Sequence, residues 1–241
     1  MPQDHDAYKP AQIADLMESA GVAKARMPFG QMLMLAVLAG AFIAFGAAAY
    51  LMVMTGADPG FGPHRLLGGL VFSLGLILVI VGGAELFTGN ALMVMAAVDG
   101  KITPAALARN WAVVYAGNLI GALAMAAAFG LTGLLDGPMG ETAAKIATAK
   151  ATGSALPWLV KGALCNALVC LAVWLTFSAR DTTGKILSIL WPISAFVLLG
   201  LVCALVAAAM IAAIFRAETI GNRVMARTGW PRWLRPTVAG A

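Results

Sequence analysis

From Leu66 to Val98 the chain runs apolar for 33 residues, interrupted midway by GGAELFTGN at 82–90. One continuous helix of that length would measure about 50 Å, whereas the hydrocarbon core of a bilayer is about 30 Å thick. The run must tilt steeply, protrude or break. Its glycines lower helix propensity, and the side chains of Glu85, Thr88 and Asn90 can satisfy backbone groups that a break sets free. The stretch therefore reads as a helix interrupted at depth, which requires a bilayer around it. Composition agrees: 61% of residues are hydrophobic and 11% charged, against about half and a quarter in soluble domains.

Other apolar runs fill out an all-α polytopic membrane protein. A first span is expected over 31–55, a third over 107–135 and a fourth over 157–177, with a polar loop over 136–156. In the third, GNLIG places Gly117 and Gly121 one helical turn apart for close packing. The fifth run, Ile186–Phe215, is again too long for one span at 30 residues, with Pro192 as a kink and Gly200 as a break. Overlong runs at matching places in 1–135 and 136–241 indicate an inverted repeat with a pathway between its halves.

The termini divide from this core. Residues 1–30 form an N-terminal segment in which Ile13, Leu16, Met17 and Ala20 share one face of an amphipathic helix. No cleavable signal peptide is visible in the first 28 residues, so the N-terminus is expected to be retained. A channel domain is expected over 31–215, and 216–241 is a basic tail. Five of the sixteen basic residues are arginines in that tail, and a membrane surface, not nucleic acid, is the partner this suggests. Cys165, Cys170 and Cys203 lack metal-ligand spacing and read as small buried hydrophobes. No metal site, cofactor or enzymatic centre is expected.

Glu85 and Lys161 are the two charges that fall clearly inside expected spans, where ionisable groups are costly and mark a pathway or a partner. Glu85 reads either as a pore carboxylate or as a structural group serving the open N–H groups of the break. Lys161 either draws anions inward or snorkels, since it lies about 6 Å into its span. Asn166 sits a turn further on, near the same face. Phe72, Leu76, Leu86 and Phe87 read, on spacing alone, as lipid-facing bulk.

Four stretches resemble the signatures of the formate/nitrite transporter family: FSLGLILVIVGGAELFTGNALM (72–93), ARNWAVVYAGNLIGAL (108–123), KGALCNALVCLAVWLTF (161–177) and GKILSILWPISAFVLLG (184–200). Their order and spacing agree too, and the likeness covers about 10–200. The resemblance implies an aquaporin-like inverted-repeat bundle with interrupted second and fifth helices, assembled as a homopentamer. It implies a multi-pass protein of the bacterial inner membrane, N-terminus in the cytoplasm, passing formate, nitrite or hydrosulfide. Phe72 and Phe196 would form one constriction and Leu76, Leu86 and Phe87 the other. Thr88 would lie in the interrupting loop with Glu85 and Asn90, and Lys161 and Asn166 would be polar positions of the fourth span.

The resemblance lapses after residue 200. Where the family has a Glu-His pair and then an Asn, this chain has Val202 and Cys203, and its histidines are His5 and His64. That leaves the second repeat incomplete. With the N-terminus inside, seven basic residues fall in inner segments, and five spans would put the arginine tail outside, against the positive-inside rule. Two half-spans in 186–215, an amphipathic tail on the surface, or a deletion or frame change would each resolve this. Two functions follow: an anion channel, with or without proton coupling, and a truncated, non-conducting homologue with a structural role in an oligomer.

Overall fold

The computed structural model describes residues 6–198 except residue 153, and all regular structure among them is helical. Helix α1 (Pro10–Ala25) precedes the first membrane span, α2 (Phe29–Met54). The long apolar run becomes α3 (Gly62–Gly82), a short α4 (Phe87–Asn90), a 3-10 turn (Ala91–Met93) and α5 (Val94–Val98). Then come α6 (Pro104–Leu131), α7 (Pro138–Ala151), α8 (Ala155–Ser178) and α9 (Thr182–Leu198). Four helices, α2, α3, α6 and α8, are long and apolar enough to cross a membrane. The expected break near Gly200, Cys203 and the tail at 216–241 lie outside the described residues.

The start of α6 shows how local chemistry sets a boundary. Thr103 is extended, its hydroxyl accepts from the Ala106 N–H at 3.2 Å, and Pro104 follows where no intrahelical N–H is needed. Inside the bilayer, packing and not the hydrophobic effect holds helices together, and here small residues allow it. A Cβ on Gly121 would lie 1.9 Å from the Val37 carbonyl oxygen, and one on Gly40 would lie 2.1 Å from the Asn118 oxygen. Helices α2 and α6 thus meet backbone to backbone. Gly121→Val is expected to destabilise by about 3 kcal/mol, the upper end of overpacking costs, because the obstacle is main chain and cannot swing aside. Unfolding in detergent, followed by tryptophan fluorescence, checks this.

Two expectations are corrected. The polar loop at 136–156 contains α7, which starts at Pro138 and buries Met139 and Ala143. Its alanines and lysines are good helix formers that no scan for apolar runs detects. In α1 the buried stripe is Ile13, Met17, Gly21 and Ala25, with Leu16 exposed and Ala20 only partly covered. Gly21 belongs on that stripe because it approaches α5: a Cβ there would stand 3.3 Å from that of Ala96. At the other edge of α1, Glu18 pairs with Lys101, which also pairs with Asp99 at 3.1 Å. These two hydrogen bonds hold the exposed Lys101 ammonium above its ordinary pKa.

Candidate functional site: the interrupted helix and its cavity

Helix α3 ends because Gly83 turns left-handed, at φ 75°, and its N–H returns to the Val79 carbonyl. The Ala84 N–H reaches the same oxygen at 2.9 Å. The chain then has no regular structure from Ala84 to Leu86, where it is extended, before α4 begins. Three backbone groups of this break bond to neighbouring helices. The Glu85 N–H donates to the Leu35 carbonyl of α2 at 3.2 Å. On α6, the Asn118 amide donates to the Glu85 carbonyl at 2.8 Å and accepts from the Phe87 N–H at 2.9 Å. Its second donor bond, also 2.8 Å, goes to the Ala36 carbonyl on α2. One buried side chain therefore supplies what water cannot supply at this depth.

The Glu85 side chain takes the structural role. It is 4% exposed, and its carboxylate accepts from Lys24 Nζ at 2.5 Å and from Asn90 Nδ2 at 2.8 Å. Asn90 is itself buried and also donates to Asn110 Oδ1 at 2.9 Å. Asn110 in turn donates to the Lys24 carbonyl at 3.4 Å, and Trp111 Nε1 donates to the Asn90 carbonyl at 3.0 Å. The result is a charge-neutral knot joining α1, the break and α6. Lys24, Asn110 and Asn118 escaped the sequence reading. The available signal was two asparagines eight residues apart on one face of an apolar helix, facing a lysine on an amphipathic one.

A cavity of about 520 Å³ opens between α1, the end of α3, the break and the end of α8. Its wall includes Met17 and Lys24 on one side, Val173 and Thr176 on another, and Leu76 and Leu86 at the depth of the break. Leu76 is 3% exposed and packs with Leu86 and Val173 in one apolar cluster. One turn further along α3, about 6 Å of rise, the Phe72 ring stacks on Phe196 of α9, centroids 5.8 Å apart and planes 13° apart. The Leu76–Leu86 contact at the cavity wall is thus followed along α3 by an aromatic one.

The remaining positions divide. Phe87 turns toward α6, edge-on to Trp111 and Tyr115 at 6.3 and 5.4 Å, and packs with the Met32, Ala36 and Val114 cluster. It stands apart from Leu76 and Leu86. The Thr88 carbonyl accepts a long bond from the Cys170 thiol of α8, 3.6 Å, and Asn166 Nδ2 lies 3.7 Å from the same sulfur. Asn166 is thus brought near the break. Lys161 is exposed in the first half of α8 and does not join this group.

The sequence profile of the formate/nitrite transporter family matches residues 11–240, nearly the whole chain. The chain belongs to that family. Among formate/nitrite transporter relatives it is 36% identical over 237 residues to formate channel BtFdhC of Bacillus thuringiensis, covering 97% of this chain and 92% of that one. It is 38% identical over 199 residues to formate channel FocA of Escherichia coli strain K12, covering 81% and 70%. A solved pentameric formate channel with formate bound superposes with a TM-score of 0.73 at 37% identity, covering 83% of this chain and 81% of that one. Within this family the present chain is an all-α, multi-pass membrane protein.

Proposed function

We propose that this formate/nitrite transporter is a channel for small monovalent anions of weak acids, formate or nitrite foremost. The observation that carries the reading is the coupling of a firmly bonded helix break to a cavity ending at Leu76 and Leu86, with the Phe72–Phe196 stack beyond. Moving a bare ion through apolar rings is costly, so the passage must be short and closely lined. A break at depth shortens it, because the cavity already reaches the level of Leu86. Glu85 stands at the cavity wall as a tie, its carboxylate bonded to Lys24 and Asn90, which line the same cavity. Phe87 supports the break from behind.

The pentamer of the solved relative is proposed here too. It would cover part of the exposed apolar surface of α2 and α8, which includes Met34, Phe45, Leu164 and Leu171. We also propose the bacterial inner membrane, the N-terminus inside, transport without enzymatic chemistry, and the division into residues 1–30, 31–215 and 216–241.

The test is flux of formate, nitrite and hydrosulfide into proteoliposomes carrying the purified chain. Flux of at least one anion well above empty vesicles is expected. Because Lys161 is exposed near the start of α8, Lys161→Ala is expected to lower flux severalfold at low salt and little at high salt, as screening predicts. No flux from a protein that inserts and assembles would favour the non-conducting homologue.

A further inference from the structure

On the channel reading, the mouth beyond the Phe72–Phe196 stack lies by the end of α2 and the start of α3, which carry a phenol and a guanidinium. Tyr50 lies in the last turns of α2, half-buried, with its ring edge-on to Phe72 at a centroid distance of 6.4 Å. Arg65 lies in the first turns of α3, on the face it shares with Gly68 and Phe72 at helical spacing. Asp58, in the preceding loop, is engaged in its own turn, accepting from the Gly60 N–H at 2.7 Å.

Gly68 is what brings the phenol here. A Cβ at Gly68 would stand 2.9 and 3.0 Å from two Tyr50 ring carbons and 3.1 Å from Met54 Sδ. The ring therefore packs on bare helix surface at Gly68, which lies between Arg65 and Phe72 along α3. A half-buried tyrosine usually finds a hydrogen-bond partner for its hydroxyl. No hydrogen bond or ion pair ties this oxygen among the described residues. A donor without a partner among the described residues, beside an aromatic stack and on the helix face that carries Arg65, suits an anion that is losing water.

We propose that Tyr50 and Arg65 form a receiving step for the transported oxyanion at this mouth. Arg65 attracts the ion, and the Tyr50 hydroxyl donates a hydrogen bond to it as it enters or leaves the Phe72–Phe196 narrowing. The proposal rests on the channel reading and adds two residues that set apparent affinity.

The test is the concentration dependence of formate flux in proteoliposomes for the wild-type chain, Tyr50→Phe, Arg65→Gln and Gly68→Ala. Tyr50→Phe keeps the ring and its contact with Phe72 and removes only the donor. Its half-saturating formate concentration is expected to rise about tenfold or more, the worth of one hydrogen bond to a charged group, with the plateau little changed. Arg65→Gln is expected to raise it as well and to flatten its salt dependence. Gly68→Ala, by displacing the ring, should move the same constant in the same direction, and Tyr50→Phe should leave osmotic water permeability unchanged. Wild-type flux with an unchanged half-saturation in Tyr50→Phe overturns this proposal alone. A wild-type protein without flux overturns the channel reading and this step with it.

Discussion

Asn118→Ala is expected to cost about 3 kcal/mol or more and to abolish transport, because two backbone groups of the break lose their partner at once and the tie to α2 goes with them. Each buried polar group left unsatisfied costs about 1–3 kcal/mol. Hydrogen bonds between membrane helices average only about 0.6 kcal/mol, since the separated helices find other partners. That discount applies poorly here. The Phe87 N–H and the Glu85 carbonyl belong to a break with no helical partner to fall back on. The Asn118 bonds are also short, 2.8 to 2.9 Å. A contrasting variant is Asn166→Ala, whose only bond in the described structure is to the Cys170 sulfur at 3.7 Å. It should lose less than about 1 kcal/mol, in keeping with a neutral hydrogen bond of poor length. Thermal unfolding in detergent compares the two variants directly, and equal losses would show that Asn118 is not the tie described here.

The second large effect concerns the Lys24–Glu85 pair, and its sign is asymmetric. Glu85 is 5% exposed at its side chain and Lys24 28%. Removing the lysine, as in Lys24→Met, strands a carboxylate in the interior. Removing the carboxylate, as in Glu85→Ala, strands an ammonium that still reaches water. Breaking a buried pair from one side costs about 3–5 kcal/mol. Lys24→Met should approach that range, and Glu85→Ala should fall nearer about 2 kcal/mol because its survivor is partly solvated. The combined Lys24→Met and Glu85→Gln protein should recover part of the loss, since a neutral amide keeps hydrogen-bonding capacity toward Asn90. A double-mutant cycle over Lys24→Met, Glu85→Gln and the combined protein, on unfolding free energies, measures the coupling. Additive losses would mean that the two side chains do not act as a pair.

The helix break was legible because two independent quantities met in one stretch. The run was too long for the bilayer, and its glycines and polar residues marked where it would part. Gly83 then took up the left-handed turn that closes α3. The two overpacked glycines of GNLIG were legible for a similar reason, small residues one turn apart. The same motif also hid its most important member. Asn118 reads as a spacer between glycines, and only the fold shows that its amide spans α2 and the break.

Lys24 was illegible because its partner lies 61 residues away on another element. An amphipathic pattern shows which face is apolar and not which charge will bend inward. Leu16 illustrates the companion difficulty. Stripes offset by one residue fit helical periodicity almost equally, and the choice of Met17 and Gly21 is made by the approach of Ala96. The Phe72–Phe196 stack came from the family resemblance, since nothing in the spacing of two phenylalanines on separate helices announces that they meet. Phe87 entered by the same route, and its ring packs against α6 instead of beside Leu86.

Formate flux through Leu86→Trp, set beside the wild-type chain in matched proteoliposomes, tests the central claim most directly. Leu86 lines the cavity at the break and packs with Leu76 outside the hydrogen-bond knot, so a larger ring there should block passage without undoing the fold. The account predicts a protein that inserts and assembles normally while its flux falls to the level of empty vesicles. Undiminished flux through an intact Leu86→Trp protein would mean that the anion does not pass beside the interrupted helix.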